Sequence, residues 1–96
     1  MDENTEERLM LIEKILKTEG NISYYKEQVR LYTIVFQNAI TGGDARAIAE
    51  VRTGLVETQT NLNSEQRMLG ILKNRLESGN FSLGTTSSLG KRAFEQ

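Results

Sequence analysis

The chain predicts an all-α fold: a long antiparallel helical hairpin of coiled-coil type with an irregular C-terminal tail, set in an oligomer or helical bundle. Three observations carry this expectation. Ile15, Ile22, Val29 and Phe36 recur every seven residues, and so do Ile48, Leu55, Leu62, Leu69 and Leu76. A Gly42-Gly43 pair lies between the two ladders, and the 96 residues contain no proline to interrupt a long helix. A seven-residue apolar repeat is the mark of helices that pack along one seam. Folding back at the glycines pairs Phe36 with Ile48, Val29 with Leu55, Ile22 with Leu62 and Ile15 with Leu69, so one turn closes every layer.

The first helix is expected over about residues 5–41. Asn4 followed by Glu7 has the form of a capping box, and the acidic residues around it suit the positive end of a helix. Apolar residues then recur from Leu9 to Ile40. Gly20-Asn21 is the weak point, because an interior Gly costs about 1 kcal/mol against Ala. The phase from Ile15 to Ile22 runs through it unchanged, so the helix is expected to continue. At residues 42–43 the glycines supply the left-handed backbone that ends a helix, and Asp44 caps the next. The second helix spans about 45–78 and stops at Gly79-Asn80.

Residues 1–79 thus make the hairpin, and residues 80–96 read as a flexible tail that docks on a partner. The apolar points of that tail are Phe81, Leu83, Leu89 and Phe94. Charge supports the fold-back. Residues 1–19 carry six acids and three bases, whereas residues 66–96 carry five bases and two acids. Exposed ion pairs are worth under about 1 kcal/mol each, so this asymmetry selects orientation more than it holds the fold.

Composition narrows the function classes. There is no cysteine, hence no disulfide and no thiolate metal site, and there is no histidine, the commonest general base. A net charge of −1 predicts no general attraction to nucleic acid or to an anionic membrane. No segment approaches the roughly 20 apolar residues that span a bilayer. The N-terminal residues lack a basic region followed by an apolar one, so no signal peptide is expected and a cytoplasmic or virion-internal chain is. Gly42 to Arg46 is Gly-rich but lacks the Lys-Ser/Thr of a phosphate-binding loop. No catalytic residues, metal ligands or cofactor site are expected, and the chain does not read as an enzyme.

Each ladder has two flanks on which a seam can close. One pairs Tyr32 with Arg52, Tyr25 with Gln59, Thr18 with Gln66 and Leu11 with Lys73; the other pairs Thr33 with Val51, Glu19 with Glu65 and Ile12 with Leu72. Tyrosine bodies suit the first near the turn, where their hydroxyls would meet Gln59 or Arg52, and the Ile12–Leu72 pair suits the second near the open end. A seam drifting between the two is therefore expected. Glu19 facing Glu65 offers too few oxygens to cage a cation, and the two carboxylates are expected to splay into water.

A second apolar set lies off the seam: Leu9, Leu16, Tyr24, Leu31, Ile34 and Val35 on the first helix, and Val56, Met68 and Ile71 on the second. Leu31, Ile34 and Val35, with the four apolar residues of the tail, are the expected partner-binding residues. Small Ala47, Gly54 and Asn61, seven apart, suit the close approach of another helix. The partner is expected to be another copy of the chain, another protein, or both. This reads as a structural, assembly or adaptor protein of the kind found in a viral particle or a secretion assembly. The alternative is an oligomer that sequesters a small nucleotide-like anion through Tyr24, Tyr25, Lys26 and Arg30, where aromatic faces adjoin cations.

Overall fold

Two helices account for almost all of the described residues. The computed structural model describes residues 3–81. Helix α1 runs over Glu3–Gly42 and α2 over Ala45–Ser78, packed side by side in a molecule about 60 Å long. The expected all-α hairpin is what the chain adopts. Leu83, Leu89 and Phe94 lie outside the described residues, as does the tail expected beyond Phe81.

Local chemistry sets three of the four helix ends, whereas Asn4, expected to cap α1, lies inside the helix. Gly42 stays helical, and Gly43 alone takes the left-handed conformation, at φ 71. Its N–H donates to the carbonyls of Ala39 and Ile40, both at 3.0 Å, which satisfies two acceptors left over at the end of α1. Asp44 then leaves the helical region and caps α2, its Oδ1 accepting from the N–H groups of Arg46 and Ala47 at 3.0 and 3.2 Å. The far end of α2 closes on Gly79, at φ 84, with the Asn80 N–H donating to the Arg75 carbonyl at 3.0 Å. Helix α1 passes through Gly20 without interruption, and Asn21 does not start a new helix.

The seam is regular, and it does not drift. On α1 the inward positions are Leu11, Ile15, Thr18, Ile22, Tyr25, Val29, Tyr32, Phe36 and Ala39, alternating by four and three. On α2 they are Ile48, Val51, Leu55, Thr58, Leu62, Glu65, Leu69, Leu72 and Leu76, alternating by three and four. Each helix keeps one flank throughout: α1 uses the tyrosine side of its ladder and α2 uses the Val51–Leu72 side. Two contacts fix how the arms meet: the Tyr32 ring lies against Gly54, and the Asn21 amide donates to Glu65.

This corrects the expected register. Both contacts join residues whose numbers sum to 86 where the expected pairing of Ile22 with Leu62 and Val29 with Leu55 sums to 84, an offset of about two residues or roughly 3 Å. The physical reason is Gly42. By remaining helical it moves the centre of the turn along the chain, and every pairing shifts with it. Contacts between the arms agree. Leu11, Ile15 and Leu72 form one cluster, against which Leu69 and Leu76 pack. Glu65 does not face Glu19: it accepts from the Asn21 amide at 3.1 Å, and Glu19 lies 3.5 Å from the Lys73 ammonium.

Burial is uneven along the hairpin. Leu11, Ile15, Ile22, Leu62 and Leu72 are the buried apolar side chains, and Thr18 is buried among them. All of these levels belong to the open-end half of the molecule. Thr18 satisfies its hydroxyl by donating to the Lys14 carbonyl at 2.8 Å, so a polar group is tolerated inside the seam. From Tyr25 to the turn and back to Thr58 the inward residues are only half-buried.

Candidate interaction surface

The heptad that buries one stripe of α1 also fixes what the rest of the helix presents. Met10, Lys17, Tyr24 and Leu31 stand seven apart in one outward column. Lys14, Asn21, Gln28 and Val35 form the column beside it, between that one and the seam. Together they give Tyr24, Gln28, Leu31 and Val35, spaced four, three and four, which is a second helix-packing stripe on the same helix. Its apolar members are open to solvent: Tyr24 is 59% exposed, Leu31 42% and Val35 48%, and Ile34 at the stripe's edge is 44% exposed. The side of α2 that shares this face carries Ala47, Gly54, Asn61 and Met68, with Ile71 beyond them.

Gly54 has a use inside the hairpin. A Cβ built there would meet the Tyr32 ring at 2.8 Å. The missing side chain at 54 thus makes room for the tyrosine of the facing arm. The expected contacts of the tyrosine hydroxyls with Gln59 are also replaced, since the Gln59 amide donates to Asn63 on its own helix at 3.1 Å.

The remaining candidate residues are dispersed. Tyr24 and Tyr25 meet edge to face, ring centres 5.3 Å apart, on the side of α1 that carries the stripe. Lys26 and Arg30 fall on the other side of the same helix by their heptad positions. Arg30 is engaged by Glu27, its Nε donating at 3.1 Å while its second nitrogen reaches the other carboxylate oxygen. The hydrogen bond from Arg30, and then its charge, hold the Glu27 carboxyl below its usual range, and the Arg30 guanidinium is correspondingly raised. The cation best placed by type to meet an anion is already paired within its own helix.

Phe81 departs from expectation. Expected among the partner-binding residues of the tail, it packs half-buried against the Leu11–Ile15–Leu72 cluster. Exposed Met10 and Ile40 were not among the expected surface residues. The signal for Met10 was present, since it lies seven residues from Lys17 and fourteen from Tyr24 in the same column. A shallow groove on α1 lined by Met10, Glu13, Lys14 and Lys17 opens beside it.

No family model matches the chain, and no curated protein and no solved structure is detectably similar to it. Among the described residues no three His, Cys, Asp or Glu side chains are grouped to hold a metal ion, and no helix is long and apolar enough to cross a membrane. What the described surface offers is apolar area on a rigid helical frame.

Proposed function

We propose that the chain is a non-enzymatic assembly or adaptor protein, a helical hairpin that works by associating with protein through the outer face of α1. One observation carries this reading. The described residues expose eleven large apolar side chains and bury five. Scattered exposed apolar residues are ordinary, but here Tyr24, Leu31, Ile34 and Val35 share one helix face at packing spacing. A single two-helix seam also supplies little core for this length, and neither disulfide nor thiolate metal site is available to reinforce it. Association is the remaining source of burial. The C-terminal residues Phe81 to Phe94 are assigned to the same partner-binding role, with Phe81 anchoring the segment on the hairpin. The engagement of Arg30 by Glu27 disfavours the small-anion alternative.

Sedimentation of the full chain over a range of micromolar concentrations tests the reading. The expected result is a dimer or larger species, or a co-purifying protein that leaves only on denaturation. A chain that stays monomeric and free of other protein, and still melts cooperatively well above physiological temperature, would refute it.

A further inference from the structure

Within the association reading just given, on which this inference rests, we propose that the Tyr24–Val35 stripe is covered in the partner-free chain by the chain's own C-terminal segment, residues 82–96, folded back from Phe81. The two partner-binding elements then mask one another until a partner parts them. Length is the first ground. The described residues end at Phe81, seated on the Leu11–Ile15–Leu72 cluster at the open end. Leu31 and Val35 lie 16 and 20 residues beyond Ile15 on α1, about 24 and 30 Å along the helix. Phe94 follows Phe81 by 13 residues, a reach of about 43 Å when extended, so it attains them with slack to spare. Leu89, eight residues out, attains Tyr24 in the same way.

Charge is the second ground. Lys14 and Lys17 stand on the open-end half of the face, and residues 82–90, which would cross that half first, carry no charge. Glu57 and Glu50 stand on the turn-proximal half, in the α2 column of Ile71, 15 and 22 residues from Leu72 or about 22 and 33 Å. Lys91 and Arg92 follow Phe81 by 10 and 11 residues, a reach of about 33–36 Å that takes in Glu57 with slack and Glu50 when taut. Glu57 is exposed and makes no ion pair among the described residues, whereas Glu50 shares its charge with Arg46 at 3.4 Å. Glu95, the one acid of the segment, falls beyond these positions toward Arg46. The segment is thus neutral where the face is cationic and cationic where the face is anionic. It also brings an aromatic ring to the place where Leu31, Ile34 and Val35 are open to solvent.

The chain has no cysteine, so introduced thiols report position without background. Gln37 and Asn38 are both exposed and stand at nearly one height on α1, Asn38 in the column of Leu31 and Gln37 off that face. Asn38→Cys or Gln37→Cys is combined with Glu95→Cys in the full chain, and the rates of intramolecular disulfide closure are compared in dilute solution. Closure with Asn38→Cys should be at least about tenfold faster than with Gln37→Cys, because docking raises the local concentration on one face only. Lys91→Glu with Arg92→Glu should erase most of that preference, and adding Glu57→Lys should restore part of it. Equal rates at the two positions, a disulfide formed mainly between chains, or a preference untouched by the charge reversal would each overturn the fold-back. Sedimentation of the unmodified chain decides association separately, so equal rates in a chain that self-associates or carries another protein sink this inference alone. The preference present in a chain that associates with nothing, even after the charge reversal, upholds the fold-back and refutes the association reading.

Discussion

Gly54→Ala is the substitution whose outcome depends most on how the two arms meet. In an exposed helix the change should stabilise by about 1 kcal/mol, because Gly is that much poorer than Ala. At position 54 the new methyl would sit 2.8 Å from the Tyr32 ring, against an ordinary contact of 3.4 Å or more. The ring must move by at least half an ångström, and overpacking of this kind costs about 1–3 kcal/mol. The net expectation is a loss of about 0–2 kcal/mol. With Tyr32→Ala already in place the obstruction is gone, and the same change should gain about 1 kcal/mol. The coupling between the two sites is therefore about 1–3 kcal/mol, measurable by denaturant unfolding of the four chains of the cycle. Gly20→Ala and Gly70→Ala are internal controls, since a Cβ at either meets nothing within 4 Å. Each should stabilise by about 1 kcal/mol. Additive effects at 32 and 54 would show that the arms are not registered with Tyr32 over Gly54.

The other expectations follow from burial, capping and charge. Leu72→Ala should cost about 2–5 kcal/mol, whereas Leu55→Ala, half-buried near the turn, should cost clearly less; equal losses in urea unfolding would contradict the uneven core. Asp44→Ala removes the acceptor for two N–H groups and should cost about 1 kcal/mol, most of it recovered by Asp44→Asn; an unchanged melt for Asp44→Ala would remove the cap from the account. Glu27 is held below its usual pKa by Arg30, so its contribution is present above the ordinary carboxylate range and is lost as pH falls through the lowered value. Because the pair is exposed, Glu27→Gln should lower the melting temperature only slightly at neutral pH, and that difference should shrink on acidification rather than grow.

Much of this fold was legible in the sequence. The two ladders specify which face of each helix turns inward, and Asp44 after two glycines marks where the chain reverses. Register was harder to read. Either glycine at 42–43 can end a helix, and the choice between them moves every layer by a fixed step without disturbing the seven-residue phase. The pairing of Glu65 with Asn21 and the seating of Tyr32 over Gly54 both follow from that step, so neither was readable before it. The candidate surface was legible for the same reason as the core: Leu31, Ile34 and Val35 are out of phase with the ladder, and the structure leaves them exposed. Phe81 was missed because the residues around it carry no periodicity, and only the open-end cluster gives it a neighbour.

The tightest packing of this hairpin lies farthest from its turn, and that reverses the usual order of fraying. A helical hairpin tied covalently at one end ordinarily opens from its free ends. Here Leu11, Ile15 and Leu72 clamp those ends while the covalently joined half is thinly covered. Amide protons should therefore be best protected in the stretches around Ile15 and Leu72 and exchange sooner between Tyr32 and Leu55. Leu11 and Leu72 are also about 60 residues apart in the chain, so the strongest contacts close the largest loop. The hairpin cannot gain most of its stability by zipping outward from Gly43. It gains it only when the two far ends find each other, and until then the turn holds together a pair of arms with little reason to stay paired.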